Sequence, residues 1–159
     1  MSDKKTVGQP LPGPGKLRLG DVIAIPLGNN RFGYARVYRD VDFAILDKVS
    51  DGVCNLNDII GLPVRFFVTH YEPYGVSPWI YLGKWRFDNP DNAWGPPTYV
   101  RDVIDPTQVR IMERGVMRDA TESEIEGLRE ATLQDPNGIR DRIVEEFGLE
   151  MGHTQREKR

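Results

Sequence analysis

The chain has 159 residues, a length one domain accommodates, with 24 acidic and 21 basic side chains and a formal net charge of -3. That balance argues against a uniformly basic nucleic-acid binder. Cys54 is the only cysteine, which excludes an intramolecular disulfide, and no apolar run approaches the roughly 20 residues that cross a bilayer.

Residues 1–15 are rich in proline and glycine (Pro10, Pro12, Gly13, Pro14, Gly15) and have little apolar surface to offset ordering entropy, so they read as a flexible tail. The same stretch lacks the apolar core of a secretory signal, and with the lone cysteine this points to the cytoplasm. From residue 16 the pattern becomes short apolar runs separated by turn signals, as in an antiparallel β domain. Residues 21–27 form the first predicted strand. Gly28-Asn29-Asn30 then supplies positive φ at low cost, predicting a hairpin with residues 31–38. In that second strand Phe32, Tyr34, Arg36 and Tyr38 alternate with Gly33, Ala35 and Val37, giving one large amphipathic face and one small face suited to close packing.

Further strands are predicted at residues 43–48, 64–70, 79–85 and 108–113, with an irregular stretch over 88–97. Thr121 followed by Glu124 is a capping box, and Ile125, Leu128 and Leu133 share a helical face, predicting a first helix. A second starts at Asp135 with Pro136 in its first turn, carries Ile139, Ile143, Val144 and Phe147 inward, and stops at Gly148. Residues 151–159 read as a polar tail. The expected organisation is therefore a tail over 1–15, one α+β domain over 16–150 (β part 16–114, helical part 119–148), and a tail over 151–159. The expected fold is a mainly antiparallel, strongly curved sheet or SH3-like partial barrel of about six or seven short strands with two C-terminal helices.

Residues 119–150 hold ten acidic and three basic side chains, a net -7, against +4 for the rest, which predicts an acidic helical end. Catalytic groups do not announce themselves. His70 and His153 lie 83 positions apart, so no metal site is expected, and Cys54 has no neighbouring positive charge to favour its thiolate. No glycine pattern opens a helix after a strand as phosphate-binding loops require, so no cofactor is expected. Asp88 with Asp91, and Asp102 with Asp105, sit among prolines and asparagines and read as turn formers. Trp79, Tyr81, Trp85, Phe87 and Trp94 crowd one window, and Trp94, among Asp91, Asn92 and Gly95, is the aromatic placed to face a partner.

The segments GDVIAIPLGNNRFGYARVY from Gly20, AILD from Ala44, WIYLGKWRF from Trp79 and PPTYVRD from Pro96, taken in order, resemble the immunity protein 26 family of bacterial polymorphic-toxin systems. The resemblance spans about half the chain, and the ATESEIEGL run from Ala120 is compatible with it. It implies a non-catalytic protein that binds and neutralises a cognate toxin domain, which in many such systems is a nuclease. It carries over no residue roles. On that reading Glu124, Glu126 and Glu130, with Asp88 and Asp91, supply electrostatic complementarity and Trp94 the apolar anchor.

The same opening also resembles the SH3-like barrel of MazF/PemK-type endoribonuclease toxins. Those carry an Arg-Pro pair, whereas here Arg36 is followed by Val37 and Tyr38. A third reading makes Arg31, Arg36, Arg39, Tyr34 and Tyr38 a stacking and phosphate-contacting face for nucleic acid. Membrane association is not expected, and the oligomeric state is left open.

Overall fold

Asn29 and Asn30 both adopt left-handed backbone (φ 56° and 62°), and this two-residue turn joins β2 (Asp21–Gly28) to β3 (Arg31–Val37) in the hairpin expected from the sequence. The structure, a computed structural model, describes Gln9–Pro10 and residues 15–150. Among the described residues the remaining strands are β1 (Gln9–Pro10), β4 (Asp42–Asp51), β5 (Val64–His70), β6 (Ile80–Lys84), β7 (Thr98–Arg101), β8 (Val109–Glu113), β9 (Val116–Ala120), β10 (Arg129–Glu130) and β11 (Leu133–Gln134); α1 is Pro136–Glu146. The chain is α+β.

Seven strands form one sheet in the order β1-β6-β2-β3-β4-β5-β11, and four form a second in the order β10-β7-β8-β9. Pairing is antiparallel except for β11 on β5 and β10 on β7. The sheets stay open, because β1 and β11 end the large one without pairing to each other. The strongly curved sheet or SH3-like partial barrel expected from the sequence is therefore not what forms: two open sheets take its place. Within the stretch read as an N-terminal tail, Gln9 and Pro10 pair with Tyr81 and Ile80. The rest of that tail, apart from Gly15, and the one at 151–159 lie outside the described residues.

β2 runs through the middle of the large sheet and is buried on both faces, which is why its sequence is a continuous apolar run and not an alternation. Ile23, Ile25, Ala35, Val37, Phe43 and Ile45 pack on one side beneath Ile139, Ile143 and Val144 of α1. On the other side Val22, Ala24, Tyr34 and Leu46 meet Ile59 and the half-buried Leu56. The small face of β3 does pack closely: a Cβ on Gly33 would lie 3.1 Å from Ile143 Cγ2.

α1 follows its sequence signals. Asp135 Oδ1 accepts from the Gly138 N–H (2.8 Å), Pro136 opens the helix, and after Phe147 the left-handed Gly148 (φ 66°) lets Leu149 N–H donate to Val144 O (2.9 Å). The other predicted helix is not formed. Thr121 and Glu124 make the capping contacts, with Thr121 N–H donating to Glu124 Oε1 (2.8 Å), but only one 3-10 turn results, Ser123–Ile125. Gly127 (φ 81°) turns the chain away, Ile125 and Leu128 pack over Val109 and Ile111 of the small sheet, and the following residues pair with β7 and β5. Burial against the small sheet outweighs the helical propensity that the capping box starts. The helical part of the chain is therefore 136–146 and not 119–148.

Candidate protein-binding site

Arg39 ties the irregular 88–97 stretch to the large sheet. Tyr38 N–H donates to Asp42 O (2.8 Å) and Asp42 N–H to Arg39 O, so the turn between β3 and β4 leaves the Arg39 N–H free to reach Ala93 O (2.9 Å). The Arg39 guanidinium lies 5.5 Å from the centroid of the Trp94 ring. The turn itself is strained, since Asp40 and Val41 both have left-handed backbone (φ 59° and 52°) and Val41 is β-branched. Such conformations cost about 1–3 kcal/mol each and collect at functional sites.

Beside this turn is a hollow of about 460 Å³ whose wall combines the apolar Leu17, Leu19, Val37, Val41, Pro73 and Trp94 with Tyr38 and the charged Arg39 and Asp40. Trp94 is half-buried, and its far edge touches the tip of the β8–β9 hairpin, where a Cβ on Gly115 would lie 3.2 Å from its Cη2. Immediately beyond the tip, Val116 is 65% and Met117 42% exposed. Trp94 thus joins a hollow on the large sheet to the tip of the exposed β8–β9 hairpin on the small one. At the other end of the small sheet, Val103 and Ile104 are 94% and 92% exposed, held out by Asp102 Oδ1 accepting from the Ile104 N–H (3.1 Å). A half-buried tryptophan beside a hairpin that exposes Val116 and Met117 suits a protein partner.

The six residues expected to contact a partner come from three separate segments. Asp88, Asp91 and Trp94 share the irregular stretch, Asp91 in a 3-10 turn (Pro90–Asn92) whose cap is the Asn89 side chain. Glu124 and Glu126 sit on the segment covering the small sheet, and Glu130 is in β10. Among the described residues no hydrogen bond or ion pair joins the two groups. Glu124 is already engaged: the Thr121 N–H, and Arg118 at 3.5 Å, hold its carboxyl below the usual range.

The expected acidic end is likewise neutralised in part. Asp119 pairs with Arg110, Glu122 with Arg101, Glu124 with Arg118, Asp141 with Arg140 and Glu146 with Arg142. Three of those arginines come from β7, β8 and β9, outside or at the edge of the acidic segment, so strand pairing cancels charge that the sequence separates. Asp88, Asp91, Glu126 and Glu130 remain exposed without an ion-pair partner among the described residues.

The arginine–tyrosine face is used internally. Tyr34 is fully buried, its hydroxyl bonded to Ser50 Oγ (2.5 Å) and accepting from the Cys54 N–H (2.9 Å), and burial pushes it up to about 12. The Arg36 guanidinium lies 4.0 Å from the Trp85 centroid and 3.6 Å from that of Phe87, and donates to Trp85 O and Arg86 O. Tyr38 packs edge-on between Phe67 and Phe87, and Arg31 faces Asp51.

The sequence reading missed Val103, Ile104, Val116, Met117 and the Asp40–Val41 turn. For the first pair a signal was present, an apolar dipeptide bracketed by the turn formers Asp102 and Asp105; for β9 it was the hairpin dipeptide Arg114-Gly115. In comparisons with known proteins, no family model, no curated protein and no solved structure matches the chain.

Proposed function

We propose that this chain is a protein-binding module that acts as a cytosolic immunity protein, neutralising a cognate toxin domain by covering its surface and performing no catalysis itself. The observation that carries the binding reading is Trp94: half-buried at the wall of a 460 Å³ hollow lined mainly by apolar side chains, and seated against Gly115 at the tip of the hairpin that exposes Val116 and Met117. A partner side chain seated in the hollow would bury apolar area against Trp94, and central aromatic anchors of this kind dominate interface energetics. The toxin reading adds the resemblance of the ordered segments between Gly20 and Asp102 to immunity protein 26 sequences. The exposed carboxylates Asp88, Asp91, Glu126 and Glu130, which have no ion-pair partner among the described residues, complement a basic surface such as a nuclease presents to phosphate.

The test is co-expression with the C-terminal domain of the protein encoded immediately upstream. That domain alone should stop growth, growth should return when the present chain is supplied, and the two should co-purify. Failure to co-purify, or turnover of RNA by the purified chain alone, would overturn the proposal.

A further inference from the structure

The backbone of β9 is half satisfied, and its register says which half. Glu113 and Val116 flank the two-residue turn Arg114-Gly115 (φ 52° and 79°), so they form a hydrogen-bonded pair. Alternation then makes Ile111–Arg118 and Val109–Ala120 hydrogen-bonded pairs as well, and Met112–Met117 and Arg110–Asp119 non-bonded ones. The N–H and C=O of Met117 and Asp119 therefore point away from β8, and β9 is the last strand of its sheet. On the face that carries Met117, its row neighbour Met112 and the adjacent Val100 are half-buried, while the segment 121–128 covers the opposite face.

We infer that β9 accepts an extended strand of the partner protein, extending the small sheet by one strand through the main-chain groups of Met117 and Asp119. This rests on the protein-binding reading above and specifies its mode. Trp94, seated against the hairpin tip, puts the hollow that it lines next to the start of that edge, so one partner segment reaches both.

The charge pattern selects a foreign strand over a second copy of this chain. An antiparallel self-pairing that uses the outward groups has three registers. Pairing Met117 with Asp119 sets Arg118 opposite Arg118 of the other copy, and pairing Asp119 with Asp119 opposes two carboxylates, both destabilising. Pairing Met117 with Met117 brings Asp119 opposite the turn residue Gly115, leaving a single bonded pair. Arg118 and Asp119 are both exposed, with their present partners Glu124 and Arg110 each at 3.5 Å. The complementary strand therefore carries an acidic side chain beside Arg118, a basic one beside Asp119 and an apolar one beside Met117.

The experiment is amide hydrogen exchange on the full chain, free and bound to the C-terminal domain of the protein encoded immediately upstream. In the free chain Met117 and Asp119 should exchange fast and Arg118 slowly; in the complex both fast amides should slow by at least about tenfold. Met117→Pro, which removes only an outward donor, should weaken the complex about tenfold, and Met117→Ala, which keeps it, much less. A complex in which Met117 and Asp119 stay unprotected overturns the strand addition and leaves the binding reading intact. Protection of both amides in the free chain at dimer-forming concentration would show the edge occupied by a second copy and overturn it too. Absence of any complex overturns both readings together.

Discussion

Gly115 and Trp94 are in contact across the boundary between the two sheets: a Cβ at position 115 would sit 3.2 Å from Trp94 Cη2, on a backbone whose φ is 79°. Gly115→Ala is therefore disfavoured twice, by left-handed backbone and by the ring. It should lower stability by about 1–2 kcal/mol, read by urea unfolding, and change the emission of Trp94. Trp94→Phe in the same background should recover part of the loss, because the smaller ring withdraws from the new methyl.

Arg36 is held by shape as much as by charge. Its guanidinium stacks between Trp85 and Phe87 while donating to two main-chain oxygens. Arg36→Lys keeps the charge but supplies neither the planar stack nor the fork, so it should cost about 2–3 kcal/mol in equilibrium unfolding. Equal stability of the lysine variant would mean that the stack contributes little.

The helix rests on the sheet at Gly33 and Ile143, with the prospective Cβ 3.1 Å and 3.3 Å from the two methyls of the isoleucine. Gly33→Ala should destabilise by about 1 kcal/mol and Ile143→Val by about 1 kcal/mol. Since valine lacks the Cδ1 methyl, the double variant should lose less than the two together. Strict additivity in a double-mutant cycle would contradict the contact.

His70 is fully buried among Phe43, Tyr71 and Trp79, with Nε2 2.9 Å from Tyr74 O and Nδ1 3.4 Å from Gln134 O. Burial lowers its pKa below 6.5, and the two carbonyls with the nearby Glu72 and Asp135 oppose that shift without cancelling it. The unfolded chain therefore takes up a proton that the folded one refuses. Stability is fully present above pH 6.5 and declines as pH falls from there to the folded value. The NMR titration of the His70 ring should have a midpoint below 6.5, and in His70→Gln the slope of stability against pH in that window should flatten.

The large sheet was legible where sequence signals were local or strong. Asn29-Asn30 fixed the first hairpin, the short apolar run over 21–27 marked β2 as a strand, and Asp135, Pro136 and Gly148 bounded α1. The first predicted helix failed because a capping box determines one turn only, and Gly127 with the apolar demand of Val109 and Ile111 decided the rest. β9 has no buried period-2 pattern, since nearly all of it is exposed, and β10 and β11 are two residues each, too short to leave a pattern. Trp94 stood out from its loop setting. The role of Arg36 did not, because its aromatic partners lie 49 and 51 positions away and only folding brings them together.

The most direct measurement is the calorimetric affinity of the purified chain for the C-terminal domain of the protein encoded immediately upstream, compared with that of Trp94→Ala. The account predicts a 1:1 complex that the substitution weakens at least about thirtyfold, the loss of about 2 kcal/mol expected of a central aromatic anchor. Unchanged affinity in the variant, with its fold intact, would contradict the placement of the binding surface at Trp94.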